Sequence, residues 1–451
     1  MSTSDGKQLQ QSAGTLSANA LSPDIGEKRV DTFATLICEC RTLMSDIGEA
    51  SRRSVAARAL SAYSRLDDAE RLAFYQHLVR HYDVDEERVR AAYQSWETAK
   101  SGGGGETEAT ALSDATEPAR QQLLRRLNHA PGGTFALTSL RADLRRQLGA
   151  RPELRPLDHD LHHLLASWFN RGFLRMEQVS ADPPATLRAQ LRRYERVHPM
   201  TTSADIGRRL EPPDRRIYAF LHPATGDVPL IFVEIALVRG IPAQVEPLLA
   251  PGPALDPENA DTACLYSINN ALDGLAGIHF GSLLIKQVIE QVSQELPHLT
   301  TFVTLSPIPG FRKWLAHQDS DDARNLRAAL EHAADYEALD DPEALHPALS
   351  TALASYIADE RDTDGRPIDP VARFHLSNGA AAWRVNWPAD PSALGWRQSY
   401  GAMINYHYDP AALERRHETF IRHRIVAVDG PMRKQLDHRK PGEPAQKAPR
   451  G

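Results

Sequence analysis

From residue 31 to about residue 193 the apolar positions recur at intervals of three and four, the period of a helix with one buried face. Residues 66–80 show it best. Asp67 stands where a cap is needed, acids follow in the first turn, and Leu72, Phe74, Tyr75, Leu78 and Val79 form the stripe. Similar stripes cover residues 84–100, 117–127, 137–148 and 157–169, and together they predict an all-helical bundle. Gly102–Gly105 has no side chains to pack and is read as a flexible connector inside that half.

Near His198-Pro199 the pattern changes. Residues 217–221, 230–238, 263–268 and 301–305 are short, β-branched and aromatic runs bounded by turn residues, which predicts strands of one sheet. Between the last two, residues 282–295 carry Leu284, Ile285, Val288, Ile289 and Val292 at helical spacing. A helical stretch follows at 321–359, and strand-like segments return at 372–376, 381–387 and 403–408. The expected organisation is a disordered N-terminus (1–29), a helical domain (30–197), a mixed α/β domain (198–432) and a disordered tail rich in Pro, Lys and Arg (433–451).

Composition narrows the classes. The chain of 451 residues carries 52 Lys and Arg against 59 Asp and Glu, a net charge of −7, which argues against general nucleic-acid binding. Its three cysteines include Cys38 and Cys40, and they cannot make a disulfide framework or a structural zinc site. The richest apolar run, 228–238, is far shorter than the ~18 to 20 residues of a membrane span. The first 28 residues lack a signal-peptide core and carry Asp5, Asp24 and Glu27, so the expectation is a cytoplasmic protein.

Four segments carry candidate chemistry. Gly274-Leu-Ala-Gly277-Ile-His-Phe-Gly281-Ser282 follows a strand and opens a helix. Its backbone N–H groups and the helix N-terminus would suit a pyrophosphate, although it matches neither common nucleotide fingerprint and also reads as a plain glycine turn. In Leu305-Ser306-Pro307-Ile308-Pro309-Gly310-Phe311 two prolines stiffen a strand end, which would present the Ser306 hydroxyl to a cleft or simply build a turn. His375, in an apolar-flanked segment before Asn378-Gly379, is a candidate proton carrier or a structural histidine. Trp383, Arg384 and Trp387 fit either an anion or edge packing. His159 and His163 share a helix face but have no third ligand nearby, so no metal is assigned.

The order of glycine loop, helix, Leu305-Ser-Pro-Ile-Pro-Gly-Phe-Arg-Lys-Trp-Leu315, Phe374-His-Leu-Ser-Asn-Gly-Ala380 and Asn405-Tyr-His-Tyr408 resembles the malonyl-CoA decarboxylase family, from about residue 30 to 425. Trp168-Phe-Asn-Arg-Gly-Phe-Leu174 and Val197-His-Pro199 belong to the same likeness. The resemblance implies an α+β protein of two domains: a helical domain used in homo-oligomerisation, as a dimer or tetramer, and a catalytic domain of acetyltransferase (GNAT-like) fold. It implies that Ala276, Gly277, Ile278, His279, Phe280, Gly281 and Ser282 surround the coenzyme A pyrophosphate. The family's catalytic serine, histidine and tyrosine fall on Ser306, His375 and Tyr408. Animal members carry an acidic residue where this chain has His279, so no role of that carboxylate transfers.

The implied chemistry is conversion of malonyl-CoA to acetyl-CoA and CO2 through a stabilised enolate. His375 would protonate C2, directly or through water, Ser306 would bond the carboxylate or relay a proton, and Tyr408 would orient the acyl group or the histidine. No metal, biotin or nicotinamide is expected, because the thioester is the electron sink. An acyl-CoA-dependent transferase of the same fold and a non-catalytic acyl-CoA sensor stay open as alternatives.

Overall fold

The computed structural model describes residues 25–169, 171–278 and 283–437, and these form two compact units divided between Gly133 and Thr134. The first unit is helical throughout: Ile25–Met44, Glu49–Ser64, Asp68–His81, Glu86–Ser101, Glu106–Thr116 and Ala119–Leu127. Asp67 caps the third helix as expected, accepting from the Glu70 amide while Glu70 reaches back to the Asp67 amide. The Tyr63 and Tyr75 hydroxyls share a buried hydrogen bond of 2.6 Å inside this unit.

The second unit opens with two helices, Gly133–Gln147 and Arg155–Trp168, and then builds one mixed sheet. Its strands are β1 (Arg175–Gln178), β2 (Arg215–Leu221), β3 (Ile231–Val238), β4 (Thr262–Asn270), β5 (Thr301–Thr304), β6 (Ser306–Pro307), β7 (Ala381–Asn386) and β8 (Met403–His407). The order is β1-β2-β3-β4-β5-β8-β6, with β7 on β8. Among the described strands only β4 and β5 pair in parallel; the helix Leu283–Glu295 makes the crossover between them, burying Leu284, Ile285, Val288, Ile289 and Val292 on the sheet. A central strand, a glycine loop, a helix and a parallel neighbour are what the expected acetyltransferase-type domain requires.

The expected boundaries shift in three places. The sheet unit begins at Thr134 rather than 198, because the helix Arg155–Trp168 contributes Leu165 to the sheet's own core, and β1 is a four-residue edge strand with no apolar alternation to read. Residues 372–376 are helical, within Pro370–Ser377: Asp369 caps the helix and Pro370 occupies its first turn, and a five-residue apolar run does not distinguish the two states. The helix Gly430–Asp437, with Met432 fully buried, replaces the start of the expected disordered tail, and the first helix starts at Ile25. Residues 1–24 and 438–451 lie outside the described residues.

β4 departs from regular pairing at one residue. Glu234 faces Ser267 and Ile235 faces Leu265, so Tyr266 is an extra residue, a bulge. Tyr266 lies in a core cluster with Cys264, Leu305 and Met403, while Ile268 packs against the main core on the helix side. Glu195 holds the bulged strand, accepting from Ser267 Oγ at 2.8 Å and Asn269 Nδ2 at 2.6 Å as well as from the Val197 and His198 amides. Arg209, 5% exposed, pairs with the fully buried Glu234 at 2.8 Å and donates to the His198 carbonyl.

Arg209 is thus the cation paired with Glu234, whereas the pKa of Glu195, 3.9 Å from the same nitrogen, is pushed up to about 9 by burial, so that carboxyl keeps its proton. Arg209→Met is expected to destabilise the fold by ~3–5 kcal/mol, because it leaves the Glu234 carboxyl buried and unpaired. Adding Glu234→Gln to that variant should recover part of the loss, and guanidinium unfolding midpoints of the wild type and both variants check this.

Candidate active site

The parallel ladder of β4 and β5 runs from Thr262–Thr301 to Leu265–Thr304 and ends where the bulge begins. Beyond it the chain leaves β4: Ser306 pairs with Ile404 and Pro307 with Met403, both on β8. Pro307 and Pro309 lack amide donors, so this segment cannot rejoin a regular ladder. The end of β5 is tied down by Asn405, whose Nδ2 donates to the Thr304 carbonyl at 2.8 Å, and Asn386 in turn donates to Asn405 Oδ1 at 2.9 Å.

Three of the sequence-derived candidates meet at that point. Ser306 Oγ lies 3.1 Å from His375 Nε2, and His375 Nδ1 lies 2.9 Å from the Tyr408 hydroxyl. Thr304 extends the file: its Oγ1 accepts from Ser306 Oγ at 2.9 Å and from the Tyr406 amide at 3.2 Å. The His375 ring stacks on Tyr406 at 4.6 Å and 22°. The expectation that the Ser306 hydroxyl stands free toward a cleft is corrected here. It is 5% exposed and engaged on two sides, because the strand end folds against β8 and the His375 helix rather than projecting.

Burial sets the electrostatics of the file. His375 is 3% exposed, and desolvation alone pushes its pKa down to about 3, so the imidazole is neutral at physiological pH. Desolvation also raises the Tyr408 phenol well above its usual value and keeps it protonated. Because Ser306 donates its one proton to Thr304, its oxygen accepts from Nε2–H, and Nδ1 of the neutral ring accepts from the Tyr408 hydroxyl.

Asp369 joins the two halves of the site and was not singled out from sequence. Its Oδ1 accepts from the Val371 and Ala372 amides, capping the helix that carries His375, and its Oδ2 accepts from the Gly310 amide at 3.4 Å and the Tyr356 hydroxyl at 3.3 Å. Gly310 ends the Ser306 turn; a Cβ there would sit 2.1 Å from the Tyr356 oxygen. The sequence signal was Asp-Pro ahead of an apolar run, an N-cap followed by proline at the first helical position.

Of the loop candidates, Ala276, Gly277 and Ile278 follow the turn Asp273–Leu275, and Gly277 adopts a φ of +83°, which favours glycine. His279, Phe280, Gly281 and Ser282 lie outside the described residues. His159 stands exposed on its helix, and among the described residues no three metal-binding side chains converge.

The mixed sheet, with its parallel pair joined through a crossover helix and parting beside a hydroxyl, a neutral imidazole and a phenol in hydrogen-bonded file, defines the class: an acetyltransferase-type domain. Comparison with known proteins then gives the family. The malonyl-CoA decarboxylase N-terminal domain model matches residues 82–169 and the C-terminal domain model residues 172–446, and the chain belongs to the malonyl-CoA decarboxylase family. It is 34% identical over 324 residues to the mitochondrial malonyl-CoA decarboxylase of Anser anser anser, covering 64% of each chain. It is also 34% identical over 330 residues to that of Rattus norvegicus, covering 66% of this chain and 67% of the relative. The chain thus matches about two thirds of these relatives' length. Among solved structures, malonyl-CoA decarboxylase from Rhodopseudomonas palustris superposes with a TM-score of 0.84 at 41% identity, over 89% of this chain and 99% of that one. The Agrobacterium vitis protein gives 0.81 at 39%, over 90% and 100%.

Removing Asp369 strips the cap from the His375 helix, the acceptor of the Gly310 amide on the Ser306 turn, and the acceptor of the Tyr356 hydroxyl. Asp369→Ala is expected to cost ~2–4 kcal/mol from the lost cap and the stranded donors. Asp369→Asn, which keeps an acceptor for the cap, should cost less than half as much; denaturant unfolding of the two variants checks the order.

Proposed function

We propose that the protein is a carboxy-lyase that converts malonyl-CoA and a proton to acetyl-CoA and CO2. The observation that carries this reading is the buried Ser306–His375–Tyr408 file in a chain of this family. Ala276–Ser282 would hold the coenzyme A pyrophosphate. The acyl arm would enter where β4 and β5 part, a gap that leaves the β5-facing amides of the bulged strand without a ladder partner past Leu265. Such amides, preorganised toward a thioester oxygen, are worth ~3 to 4 kcal/mol each in stabilising an enolate. Metal, biotin and nicotinamide are unnecessary, because the thioester carbonyl takes up the electrons of the broken carbon–carbon bond.

Burial decides the proton route. A neutral His375 has no imidazolium proton to give, so direct protonation of C2 by it gives way to a relay. The carbon–carboxylate bond breaks and CO2 leaves; the C2 carbanion takes the Ser306 hydroxyl proton; Ser306 takes Nε2–H; Nδ1 takes the Tyr408 proton. The imidazole changes tautomer without ever carrying charge. Tyr408 regains its proton from water once product leaves, and its raised pKa keeps it loaded between turnovers. The serine hydroxyl, the imidazole N–H and the phenol are ordinarily all more acidic than the α-carbon of a thioester, so the driving force comes from protonation of the carbanion, and burial of Tyr408 works against the final phenolate.

Two further parts of the reading concern the whole protein. A homo-oligomer, dimer or tetramer, would form through the helical unit, supported by apolar residues such as Tyr93, 45% exposed, on its helical hairpin; light scattering of the purified chain tests it. Among the described residues no helix is long and apolar enough to cross a membrane. A cytoplasmic site of action stands beside relatives whose names carry the word mitochondrial, and cell fractionation decides between the two.

With malonyl-CoA in deuterated water and no added cofactor, mass spectrometry should find acetyl-CoA with one deuterium at C2, and Ser306→Ala and His375→Ala should each lose ~100-fold or more in kcat. Malonyl-CoA bound but left intact by the wild type would sink the reading in favour of an acyltransferase or a sensor.

The pH profile separates the two proton routes. If an imidazolium were the donor, kcat would fall as pH rises through the histidine range; with His375 neutral above about pH 3, kcat should show no such fall between about pH 5 and 8. Tyr408→Phe should lower kcat ~100-fold with little change in KM.

A further inference from the structure

In the described half of the glycine loop the Leu275, Ala276 and Ile278 amides close turns within the loop, and three of its carbonyls face side chains of the two preceding helices. Arg141, on the helix Gly133–Gln147, is 1% exposed and donates through one nitrogen to the carbonyls of Gly274 at 2.7 Å and Ala276 at 3.0 Å. Its Nε donates to Asp158 on the next helix at 2.8 Å, which fixes the plane of the guanidinium. From that same helix, His162 Nε2 lies 3.2 Å from the Gly277 carbonyl. The loop also sits directly on the first of these helices: a Cβ at Gly274 would stand 1.9 Å from the Thr138 carbonyl oxygen.

We infer that Arg141 is a positioning residue for coenzyme A: by drawing the Gly274 carbonyl and above all the Ala276 carbonyl onto a buried cation, it turns the Ala276–Gly277 peptide so that an anion meets the Gly277 amide rather than a carbonyl oxygen. This rests on the assignment of the loop to the coenzyme A pyrophosphate. A carbonyl oxygen turned toward a phosphate repels it, and at Gly277, whose φ of +83° only glycine adopts freely, the peptide before it is the one most able to turn the other way. Asp158 balances the charge, so Arg141 acts through geometry rather than as a free cation reaching for the ligand. The helices before the sheet, expected from sequence to serve only assembly, thereby set substrate affinity.

The test is steady-state kinetics and coenzyme A calorimetry on full-length wild type, Arg141→Lys, Arg141→Ala and Asp158→Asn, with malonyl-CoA and with malonyl-pantetheine, which lacks the pyrophosphate. A lysine ammonium cannot span two carbonyls in one plane while also bonding Asp158. The expected result is a rise of at least tenfold in KM for malonyl-CoA and in Kd for coenzyme A in Arg141→Lys, with kcat within about twofold, and a smaller rise in Asp158→Asn. With malonyl-pantetheine the variants should match the wild type. If Arg141→Ala does not fold, Arg141→Lys and Asp158→Asn decide. Unchanged KM and Kd in folded variants, or losses equal on both substrates, overturn the inference while leaving the decarboxylase reading intact. A wild type that binds no coenzyme A overturns the assignment of the loop, and the inference with it.

Discussion

The parting of β4 from β5 is the constraint on which the rest of this molecule depends. Parallel strands are held by evenly spaced backbone hydrogen bonds, and a sheet interior rarely gives them up without compensation. Here the ladder stops at Leu265–Thr304 for reasons on both sides. On β4 an extra residue, Tyr266, throws the strand out of phase; on β5 the chain enters Ser306-Pro-Ile-Pro, where two of four residues have no amide to donate. Neither alone would suffice: a bulge is normally absorbed within a pair, and a proline at a strand end is normally tolerated at an edge. Together they open the middle of a sheet.

An opening of that kind must be held at a fixed width, and the surrounding polar residues are explained by that need. Glu195, Ser267, Asn269, Glu234 and Arg209 secure the β4 side, all buried and all bonded to one another or to backbone. Asn386, Asn405 and Thr304 secure the β5 side. Asp369 then ties the turn after Ser306 to the helix bearing His375. Burying so many polar groups is expensive unless each is satisfied, and the return is a set of side chains whose rotamers cannot drift. Where a proton must pass between a hydroxyl and an imidazole, a drift of a fraction of an ångström matters more than a kcal/mol of stability.

What the sequence disclosed follows from how local each signal is. The helix Leu283–Glu295 and the buried strands were legible because a period of 3.6 or an apolar run survives in a window of a dozen residues. Ser306, His375 and Tyr408 were legible only through resemblance; their own surroundings, proline-rich or apolar, fit structural roles equally well. Their convergence depends on residues 69 and 33 apart in the chain, a separation no local pattern encodes. Asp369 could have been read from its cap signal, which outweighs the apolar run behind it. Arg141 could not, since its partners lie 133 and 135 residues away and are backbone carbonyls, which leave no trace in composition. β1, four residues long and largely exposed, hid the true start of the sheet unit for the same reason.

Burial of His375 shows why proximity and ordinary pKa are incomplete guides to a role. From sequence a histidine near a serine suggests an acid or a base titrating around neutrality. In place, it is stacked on Tyr406, enclosed by apolar neighbours and bonded only to neutral hydroxyls, so the charged form has nothing to stabilise it. A ring in that setting is useless as a store of charge yet well suited to pass a proton from one nitrogen to the other, because the ring itself never becomes charged. The same dry surroundings that forbid an imidazolium also deprive a departing carboxylate of water, and so favour its loss as neutral CO2. In the proposed reaction one physical cause, desolvation at the strand opening, would thus shape both the bond that breaks and the route by which the proton arrives.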